Sequence, residues 1–572
     1  MTAPRLALRA ATAACALLLI CFCSSAFAYP FGTPDTTFGT GGAINFKPPS
    51  SAYGAINSIA TQADGKILAT GAGESSYPGW IARFNSNGGL DTSFNGTGVY
   101  GFLSGGFEDP TLQAVAVQPD GKIVVAGAIE NTGSGVWWRL IARLNSDGSL
   151  DTATDSTPST CFGSGCIGYT ISVASGNANL SDVEVLPDGD ILVAGDHTSG
   201  GSRLDVLRYD SGGSLDTAFT NNASADTSAL SLASGDPIRV RILQPADGTF
   251  VIAYGSSSGK FSATKLLANG HVDTGFGNNG TWGVGASILF NDAVLRPDGR
   301  ILFVGGGSLL SQNTAIGGID ASGETDGTIG DGGIATATPV AGERSSGMSI
   351  RVLSDGRFVV AGLGFTPTDY PYVTSLVFKP DGKLDPSYGA DGVRLHPELG
   401  TYVYPMDLEL LPGDKPLIAG TLFDIPAITN YGFITKLHGP NDPGPPIATS
   451  TKIAKPSKSK NKASKLMKFS GTATPVGQVA KVEVAIQRID SKLLKKKKQC
   501  LWLSSNKAKF KKVKAVKKRC AAPKWLKATG TASWSYKLKK KLARGSYVLQ
   551  VRATATDGTV QAKPTTKKFK IS

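Results

Sequence analysis

Histidine is the side chain best suited to move protons near neutral pH, and this chain of 572 residues contains four. They are His197, His271, His396 and His438, which have no common spacing relative to the repeated motifs of the chain. A catalytic triad needs a histidine between a nucleophile and an acid, and no such grouping is visible. We predict that the histidines occupy loops or the surface, that no residue is catalytic, and that the protein is not an enzyme.

Other patterns with possible chemistry also have structural explanations. Asp-Gly pairs recur, but none belongs to the Asp-x-Asp-x-Asp loop of a calcium site, so we interpret them as hairpin turns. The glycine-rich segments 305–307 and 330–333 do not open helices, which argues against a phosphate cradle. Residues 146–151 lack the spacing and the tryptophan of a sialidase-like Asp box. We therefore predict no metal site and no cofactor.

Four cysteines follow the N-terminal segment, and their even number indicates disulfides in an exported protein. Cys161 and Cys166 are close in sequence, and no histidine lies near enough to complete a metal site. We expect them to form a loop disulfide. Cys500 and Cys520 bracket a lysine-rich stretch, and we expect them to fix its base.

Positive charge is concentrated at the C-terminal end. Residues 29–450 contain 22 Lys and Arg against 41 Asp and Glu, a net charge of −19, whereas residues 451–572 contain 34 against 3, a net charge of +31. This excess predicts binding to an anionic envelope polymer or to an acidic protein surface, with a solvated surface as the alternative. The candidate residues are Lys495, Lys496, Lys497, Lys498, Lys511, Lys512, Lys517, Lys518 and Arg519. Specific DNA binding is not expected, because no recognition helix is visible.

Residues 1–28 have the features of a signal peptide. Arg5 and Arg9 precede an apolar run at 10–23, and Ala26-Phe27-Ala28 is a small-x-small cleavage site. The alternative is a permanent anchor, but the run is short for a span of about 20 residues. We expect cleavage, no transmembrane segment afterwards, and a secreted protein that can associate with the cell envelope.

A repeated segment organises most of the chain. Its Asp-Gly pair occurs at Asp64, Asp120, Asp188, Asp247, Asp298 and Asp355, and is inverted at Gly413-Asp414, with intervals of 56, 68, 59, 51, 57 and 58 residues. A recurring interval of this size indicates one repeated supersecondary unit. Apolar runs flank each pair, as at 114–117 and 123–126, and we predict a type I′ hairpin between them.

Each repeat predicts four short strands. The first two runs are apolar on both faces, which is typical of sheets that are covered on both sides. Four-stranded sheets stacked around an axis form a β-propeller, and a solenoid is the weaker alternative. The half-motif at 35–42 and the strand 43–46 precede the first repeat, while the last repeat ends without its fourth strand. We therefore predict a seven-bladed propeller at 29–440, closed by its N-terminal strand.

The motif Leu-Asp-x-x-Phe-Gly, then Pro-Asp-Gly-Lys-Ile followed by Ala-Gly, then Ala-Arg-Leu-Asn-x-Asp-Gly, resembles the bacterial delta-60 repeat. The resemblance covers roughly residues 31–439. It implies a propeller-forming repeat of secreted bacterial proteins and no catalytic residues.

Cations recur at one position of the predicted third strand: Arg83, Arg143, Arg208, Lys265 and Lys436. Two arrangements are compatible with this spacing. The cations could form a ring around a channel, or they could face solvent while their stems cover apolar surface. We favour the solvent-facing arrangement.

The C-terminal segment has the pattern of a second β domain. Residues 479–486 alternate between apolar and polar side chains, and residues 545–558 alternate over a long strand that ends in a turn, as expected for sandwich strands. The run Gly-x-Tyr-x-Leu-x-Val-x-Ala is similar to bacterial immunoglobulin-like domains. We predict a Pro/Lys-rich linker at 441–463 and a basic immunoglobulin-like domain at 464–572.

These features predict a secreted or cell-surface binding or scaffold protein without enzymatic activity. Its acidic propeller presents a face to an unknown ligand, and its basic module tethers it to anionic envelope polymer. The alternatives are a secreted propeller hydrolase with a site at the channel mouth and a structural module that self-associates through opposite charges.

Overall fold

The computed structural model divides into two compact units, Pro30–Asp442 and a C-terminal unit that begins at Pro443. It describes residues 30–572 except 50, 52, 74–77, 103–106, 132, 153–160, 166, 173–175, 199–202, 220–238, 256–260, 285–287, 308–312, 401, 425–426, 428, 443–448, 457–459, 463–465, 475–478, 491–492, 495–498, 516–519, 521–522 and 556–559. The predicted signal peptide 1–28 lies outside these residues. Within them, no helix has the length and apolar character needed to cross a membrane.

The compact unit Pro30–Asp442, called the first unit below, is built from strands. We group these strands into seven repeat units, each identified by its Asp-Gly or Gly-Asp pair and numbered 1–7 along the chain. An N-terminal strand, β1 (Ala43–Phe46), precedes them. Units 1–3 contain β2 (Gly54–Thr61), β3 (Ile67–Gly73), β4 (Gly79–Phe84), β5 (Val99–Phe102); β6 (Phe107–Val117), β7 (Ile123–Asn131), β8 (Val136–Leu144), β9 (Tyr169–Ser172); and β10 (Ala178–Val185), β11 (Ile191–His197), β12 (Arg203–Tyr209).

Units 4–7 continue the same order along the chain. Their strands are β13 (Val240–Leu243), β14 (Phe250–Gly255), β15 (Phe261–Leu266), β16 (Thr281–Val284); β17 (Ile288–Leu295), β18 (Ile301–Gly307), β19 (Thr314–Ile319), β20 (Ile334–Ala337); β21 (Ser345–Val352), β22 (Phe358–Phe365), β23 (Pro371–Phe378), β24 (Val393–Leu395); and β25 (Val403–Leu411), β26 (Lys415–Asp424), β27 (Thr429–Lys436). Neighbouring strands within each unit pair antiparallel. Units 5 and 6 share one sheet through the single pairing of Gly306 with Ser346.

The first and last parts of this unit are joined by strand pairing. In the sheet of unit 7 the order is β1-β27-β26-β25, and Ala43 to Phe46 pair with Thr435 to Gly432. The apolar cores show the same connection. Consecutive repeat units share buried clusters, and one cluster combines Phe38 and Ile56 with Leu417 and Ile434. The N-terminal segment therefore completes the sheet of the last repeat, as the sequence predicted.

The Asp-Gly turns differ from the predicted type I′ geometry. In the first copy, Gly65 has φ +81°, whereas Asp64 is not in the left-handed region. The Gly65 N–H donates to the Gln62 carbonyl at 2.8 Å, and the Gln62 N–H donates to the Lys66 carbonyl at 2.9 Å. This is a three-residue loop, in which a type I turn is followed by a left-handed glycine. Proline precedes Asp-Gly in several copies and fixes a φ that suits the type I turn.

The glycine that ends the second apolar run permits a bulge in the first strand. A Cβ at Gly127 would lie 1.9 Å from the Thr111 carbonyl oxygen. At this point the pairing of β6 with β7 shifts register between Leu112 and Ala114. The fourth copy has Tyr254 in place of glycine, and its described pairing has no shift. The glycines therefore mark first-strand bulges, which redirect the residue that follows.

The repeated third-strand cations are buried or half-buried and paired, so the predicted solvent-facing position is wrong. Arg83 and Arg143 are each 5% exposed, and their Nε atoms lie 2.7 and 2.6 Å from carboxylate oxygens of Asp91 and Asp151. Lys436 makes the equivalent contact with Asp35 of the N-terminal half-motif at 3.1 Å. The aspartate of Leu-Asp-x-x-Phe thus neutralises the cation, and this pairing replaces solvation of the charge.

The C-terminal unit contains two sheets. Its strands are β28 (Ser450–Lys455), β29 (Lys460–Asn461), β30 (Lys468–Thr474), β31 (Val479–Arg488), β32 (Gln499–Ser505), β33 (Lys509–Lys514), β34 (Leu526–Lys527), β35 (Ser533–Lys537), β36 (Gly545–Ala555) and β37 (Thr565–Ile571). One sheet has the order β28-β30-β35, and the other has the order β29-β37-β36-β31-β32-β33, with β34 paired to β31. Both sheets contribute to one core, in which Phe469 and Trp534 meet Val484 and Leu549.

The structure differs from the predicted linker 441–463, because β28 lies inside it. Thr451 is 6% exposed, and its Oγ1 lies 2.8 Å from Thr565 Oγ1. The adjacent Lys452 is exposed, so this strand alternates in burial despite its basic composition. Asp442 also belongs to the first unit, where it pairs with Lys415 at 2.9 Å.

Candidate functional site

The first strands of all seven repeat units contribute to a single cavity of about 340 Å³. One position of the repeat supplies a polar layer of side chains at this cavity. It lies thirteen residues before the glycine that ends the second apolar run, or before Tyr254 in unit 4. The residues at this position are Ser58, Ala114, Asp182, Arg241, Asp292, Ser349 and Asp407. In units 1–3 and 5–7 they directly follow the first-strand bulge. Ser58, Asp182 and Asp407, which follow such bulges, line the cavity.

Three aspartates of this layer connect neighbouring units. Asp182 accepts the backbone N–H of Ile242 in unit 4 at 2.7 Å. Asp292 accepts the Ile350 N–H of unit 6 at 3.0 Å, and Asp407 accepts the Ile59 N–H of unit 1 at 2.9 Å. Each carboxylate thus satisfies a backbone N–H group on the first strand of the following repeat unit. Unit 1 follows unit 7 in this sense, because Asp407 of unit 7 accepts from Ile59 of unit 1.

Two arginines neutralise part of this acidic layer. Arg241 contacts Asp292 at 2.5 Å, Asp182 at 3.3 Å and Asp407 at 3.4 Å. Arg351, two residues after the polar layer, contacts Glu409 at 2.8 Å and Asp292 at 3.0 Å. Although burial acts in the opposite direction, the charges of the two arginines hold the pKa of Asp292 below its usual value. The network therefore cross-links units 3 to 7 through the cavity.

Glu184 is the carboxylate of the cavity that the arginines do not contact. It makes no hydrogen bond or ion pair with the residues that the structure describes. Burial, and then the negative charge of Asp182, raise the pKa of Glu184 to about 7. This side chain therefore exchanges its proton near neutral pH, as a general acid does.

Replacing Glu184 by glutamine is expected to change the pH dependence of stability. The unfolded chain releases this proton near pH 4.3 and the folded chain near pH 7, so the native residue loses stability as pH rises through this window. Glu184→Gln should be more stable than the native protein by about 1–3 kcal/mol at pH 8, with little difference at pH 4. Urea unfolding at both pH values measures this. Glu324→Gln, at an exposed turn, is the control, and an equal difference at both pH values would contradict the prediction.

His396 and His438 lie in loops, which agrees with the predicted loop or surface positions, but both are buried, at 0% and 5% exposed. His396 Nε2 lies 2.7 Å from Ser375 Oγ, and its Nδ1 lies 2.9 Å from Glu398 Oε1. This order of contacts is that of a nucleophile, a base and an acid. Ser375 is 0% exposed, however, and its hydroxyl also contacts the buried Tyr388 at 2.5 Å. Because a substrate has no access to this serine, the cluster is structural.

The C-terminal unit ends one of its sheets with a lysine-rich edge strand. On β33, Lys509, Lys511, Lys512 and Lys514 are exposed, and none has an ion-pair partner among the described residues. We call these four side chains the lysine edge. The disulfide between Cys500 and Cys520 connects β32 to the segment that follows β33, with a Cα separation of 5.7 Å.

The other predicted site residues lie outside the residues that the structure describes. These are Lys495, Lys496, Lys497, Lys498, Lys517, Lys518, Arg519 and Cys166. Cys161 is described and is 5% exposed. No group of histidine, cysteine or carboxylate side chains in the described part of the chain could hold a metal ion.

A family profile described as "Domain of unknown function (DUF5122) beta-propeller" matches residues 62–94, 118–153 and 186–219. Each segment begins at and includes the Asp-Gly turn of one of units 1–3. The chain is a propeller-repeat protein of the all-β class. No curated protein matches the sequence.

Several solved structures align with the chain at low sequence identity and low TM-score. They include the β-propeller domain of the Trilobed protease from Pyrococcus furiosus (10% identity, 68% of this chain and 100% of that chain, TM-score 0.34). A polysaccharide lyase, an ulvan lyase, has 9% identity over 72% of this chain and 96% of its own, with a TM-score of 0.38. AofleA from Arthrobotrys oligospora has 11% identity over 64% and 94%, with a TM-score of 0.33. These neighbours include enzymes and non-enzymes.

Proposed function

We propose that this protein is an exported, non-enzymatic binding protein. The acidic compact unit Pro30–Asp442 presents a ligand face, and the basic C-terminal unit attaches the chain to anionic envelope polymer. The observation that carries the proposal is the lysine edge, whose four exposed cations lie on one strand of a unit with a net charge of +31. Polyanions bind such arrays by releasing their counterions. Solubility alone requires a much smaller net charge, of magnitude about 2–8 for a small domain.

The proposed architecture is a seven-bladed propeller of delta-60 repeats, followed by an immunoglobulin-like sandwich. The pairing of β1 with β27 and the core that units 1 and 7 share both support the propeller. The Asp407 contact with the Ile59 N–H adds a further link between these units. In the C-terminal unit, the Tyr547 hydroxyl donates to the Ala543 carbonyl at 2.7 Å, as the tyrosine corner of immunoglobulin-like domains does.

Reversing two charges of the lysine edge is expected to weaken polymer binding. In full-length protein, Lys511→Glu with Lys512→Glu should reduce affinity for immobilised polygalacturonate at least about tenfold, at roughly 1 kcal/mol per charge. Biolayer interferometry at low salt measures this.

The matched control is Lys568→Glu with Lys570→Glu. It changes the net charge equally, and its exposed lysines lie on β37, four strands from β33 in the same sheet. The control should retain most of the affinity. Equal losses in the two variants, or no binding of the native protein, would contradict attachment through the lysine edge.

A hydrolase with its site in the cavity is the second candidate, favoured by the raised pKa of Glu184. A two-carboxylate hydrolysis also needs a base or nucleophile. In this cavity Asp182 and Asp407 accept backbone N–H groups, and Glu409 Oε1 pairs with Arg351, so these carboxylates have structural roles. Release of reducing ends from polygalacturonate by the native protein, but not by Glu184→Gln, would support this candidate over the binding role.

A further inference from the structure

A second pocket, of about 220 Å³, lies between repeat units 2 and 3. Trp137 of unit 2 and Asn177, Asn179 and Asp196 of unit 3 supply its aromatic and polar groups. It is separate from the cavity lined by the first strands and contains no arginine or lysine among its lining residues. The pocket therefore has the composition of a small polar binding site with one aromatic wall.

Local strand geometry fixes these side chains. Trp138 packs against the core shared by units 1 and 2, so the adjacent Trp137 lies on the opposite face of β8, toward unit 3. The backbone N–H of Trp137 donates to Asn177 Oδ1 at 3.1 Å, which connects units 2 and 3 at the pocket. Asn179 and Asp196 are paired in register across β10 and β11, so their side chains lie on the same face of the sheet.

Two side chains of this pocket have few hydrogen-bond donors among the described residues. Asn179 Oδ1 is buried without a hydrogen-bond partner. The Asp196 carboxylate has no ion pair in the described part of the chain and is bonded only to its own backbone, while burial raises its pKa. Asp196 is half-buried and lines the pocket, so its carboxylate retains acceptor capacity for the hydroxyl group of a ligand.

We propose that this pocket binds one sugar ring of a neutral glycan. Hydroxyl groups of a sugar would donate to the half-buried Asp196 carboxylate, and the indole of Trp137 would cover an apolar face of the ring. The volume lies below the 300–1,000 Å³ typical of pockets for drug-sized ligands, which suits a single ring. An alkylammonium would also donate hydrogen bonds, but burial disfavours the ionised carboxylate that a cation needs.

This inference rests on the proposed role of the first unit in ligand binding and adds the class of ligand. The two proposals fail separately. Attachment through the lysine edge depends on salt, whereas binding of a neutral sugar does not. Loss of sugar binding would leave the polymer attachment intact.

Isothermal titration calorimetry of the full-length protein at high salt tests the proposal. The probes are cellohexaose, laminarihexaose, maltohexaose and chitohexaose. We expect at least one to bind, and Trp137→Ala and Asp196→Ala each to weaken that binding at least about tenfold. Tyr370→Ala, which removes another exposed aromatic side chain in unit 6, should leave the affinity unchanged.

Trp137→Phe keeps an aromatic wall and guards against a folding defect in the alanine variant. It should fold with native stability and retain binding within about tenfold. Absence of binding for all four sugars at millimolar concentration overturns the proposal. Native affinity in a folded Trp137→Ala variant, or Trp137-dependent binding of n-butylammonium in place of the sugars, does so as well.

Discussion

Asp292→Ala is expected to lower the free energy of unfolding by about 3–5 kcal/mol, because it leaves charged and polar donors without their acceptor. Asp292 is 1% exposed, and its two oxygens contact Arg241, Arg351, Ser349 and the backbone of Ile350. Without this carboxylate, two guanidinium groups that share it lose a neutralising charge. Urea unfolding at neutral pH measures the effect.

Asp298→Ala is the matched control, in the Asp-Gly turn of the same repeat unit. The Asp298 side chain is 47% exposed and lies 3.3 Å from Arg296 and 3.7 Å from Arg300. Exposed pairs of this kind contribute about 0–1 kcal/mol. If the two variants lost equal stability, the cavity network would not be the cross-link described above.

Asp151→Ala is expected to cost about 3–5 kcal/mol for a related reason. Asp151 is 4% exposed and neutralises both Arg143, at 2.6 Å, and Lys122, at 3.0 Å. Its removal leaves Arg143, which is 5% exposed, with a buried charge and no carboxylate. Thermal and urea unfolding of the variant measure the loss.

Asp147→Ala provides the comparison in the same repeat unit, because Asp147 is exposed and bonds only its own turn through Ser149. It should cost about 1 kcal/mol or less. The double variant Arg143→Met with Asp151→Leu should recover most of the stability that Asp151→Ala loses, since it removes both charges. A double variant less stable than Asp151→Ala would contradict this explanation.

The repeat pattern predicted the local structure well because it repeats a few strong constraints. Asp-Gly, the closing glycine and Leu-Asp-x-x-Phe each fix a turn, a bulge or a buried pair in several copies. The half-motif at Asp35 identified the N-terminal strand as the partner of the last repeat, and Lys436 now pairs with that aspartate. The turn type was wrong, because proline and aspartate favour a type I turn before glycine.

The cavity network was harder to predict, because its residues differ from copy to copy. Asp182, Asp292 and Asp407 occupy one position of the repeat, and the other copies have serine, alanine or arginine there. No consensus residue therefore marks this position. Comparing the residue thirteen positions before each closing glycine would have found the layer. Burial of His396 left no such signal, since it depends on Ser375 of β23, whose hydroxyl also contacts Tyr388 in the turn that follows.

The most direct test of the central claim is the salt dependence of full-length protein binding to polygalacturonate. If the lysine edge attaches the chain, the logarithm of the affinity should fall linearly with the logarithm of salt concentration. The slope should lie near −3, at about −0.7 for each of the four exposed lysines. The Lys511→Glu, Lys512→Glu variant should have a smaller slope. An affinity that does not change with salt would contradict electrostatic attachment.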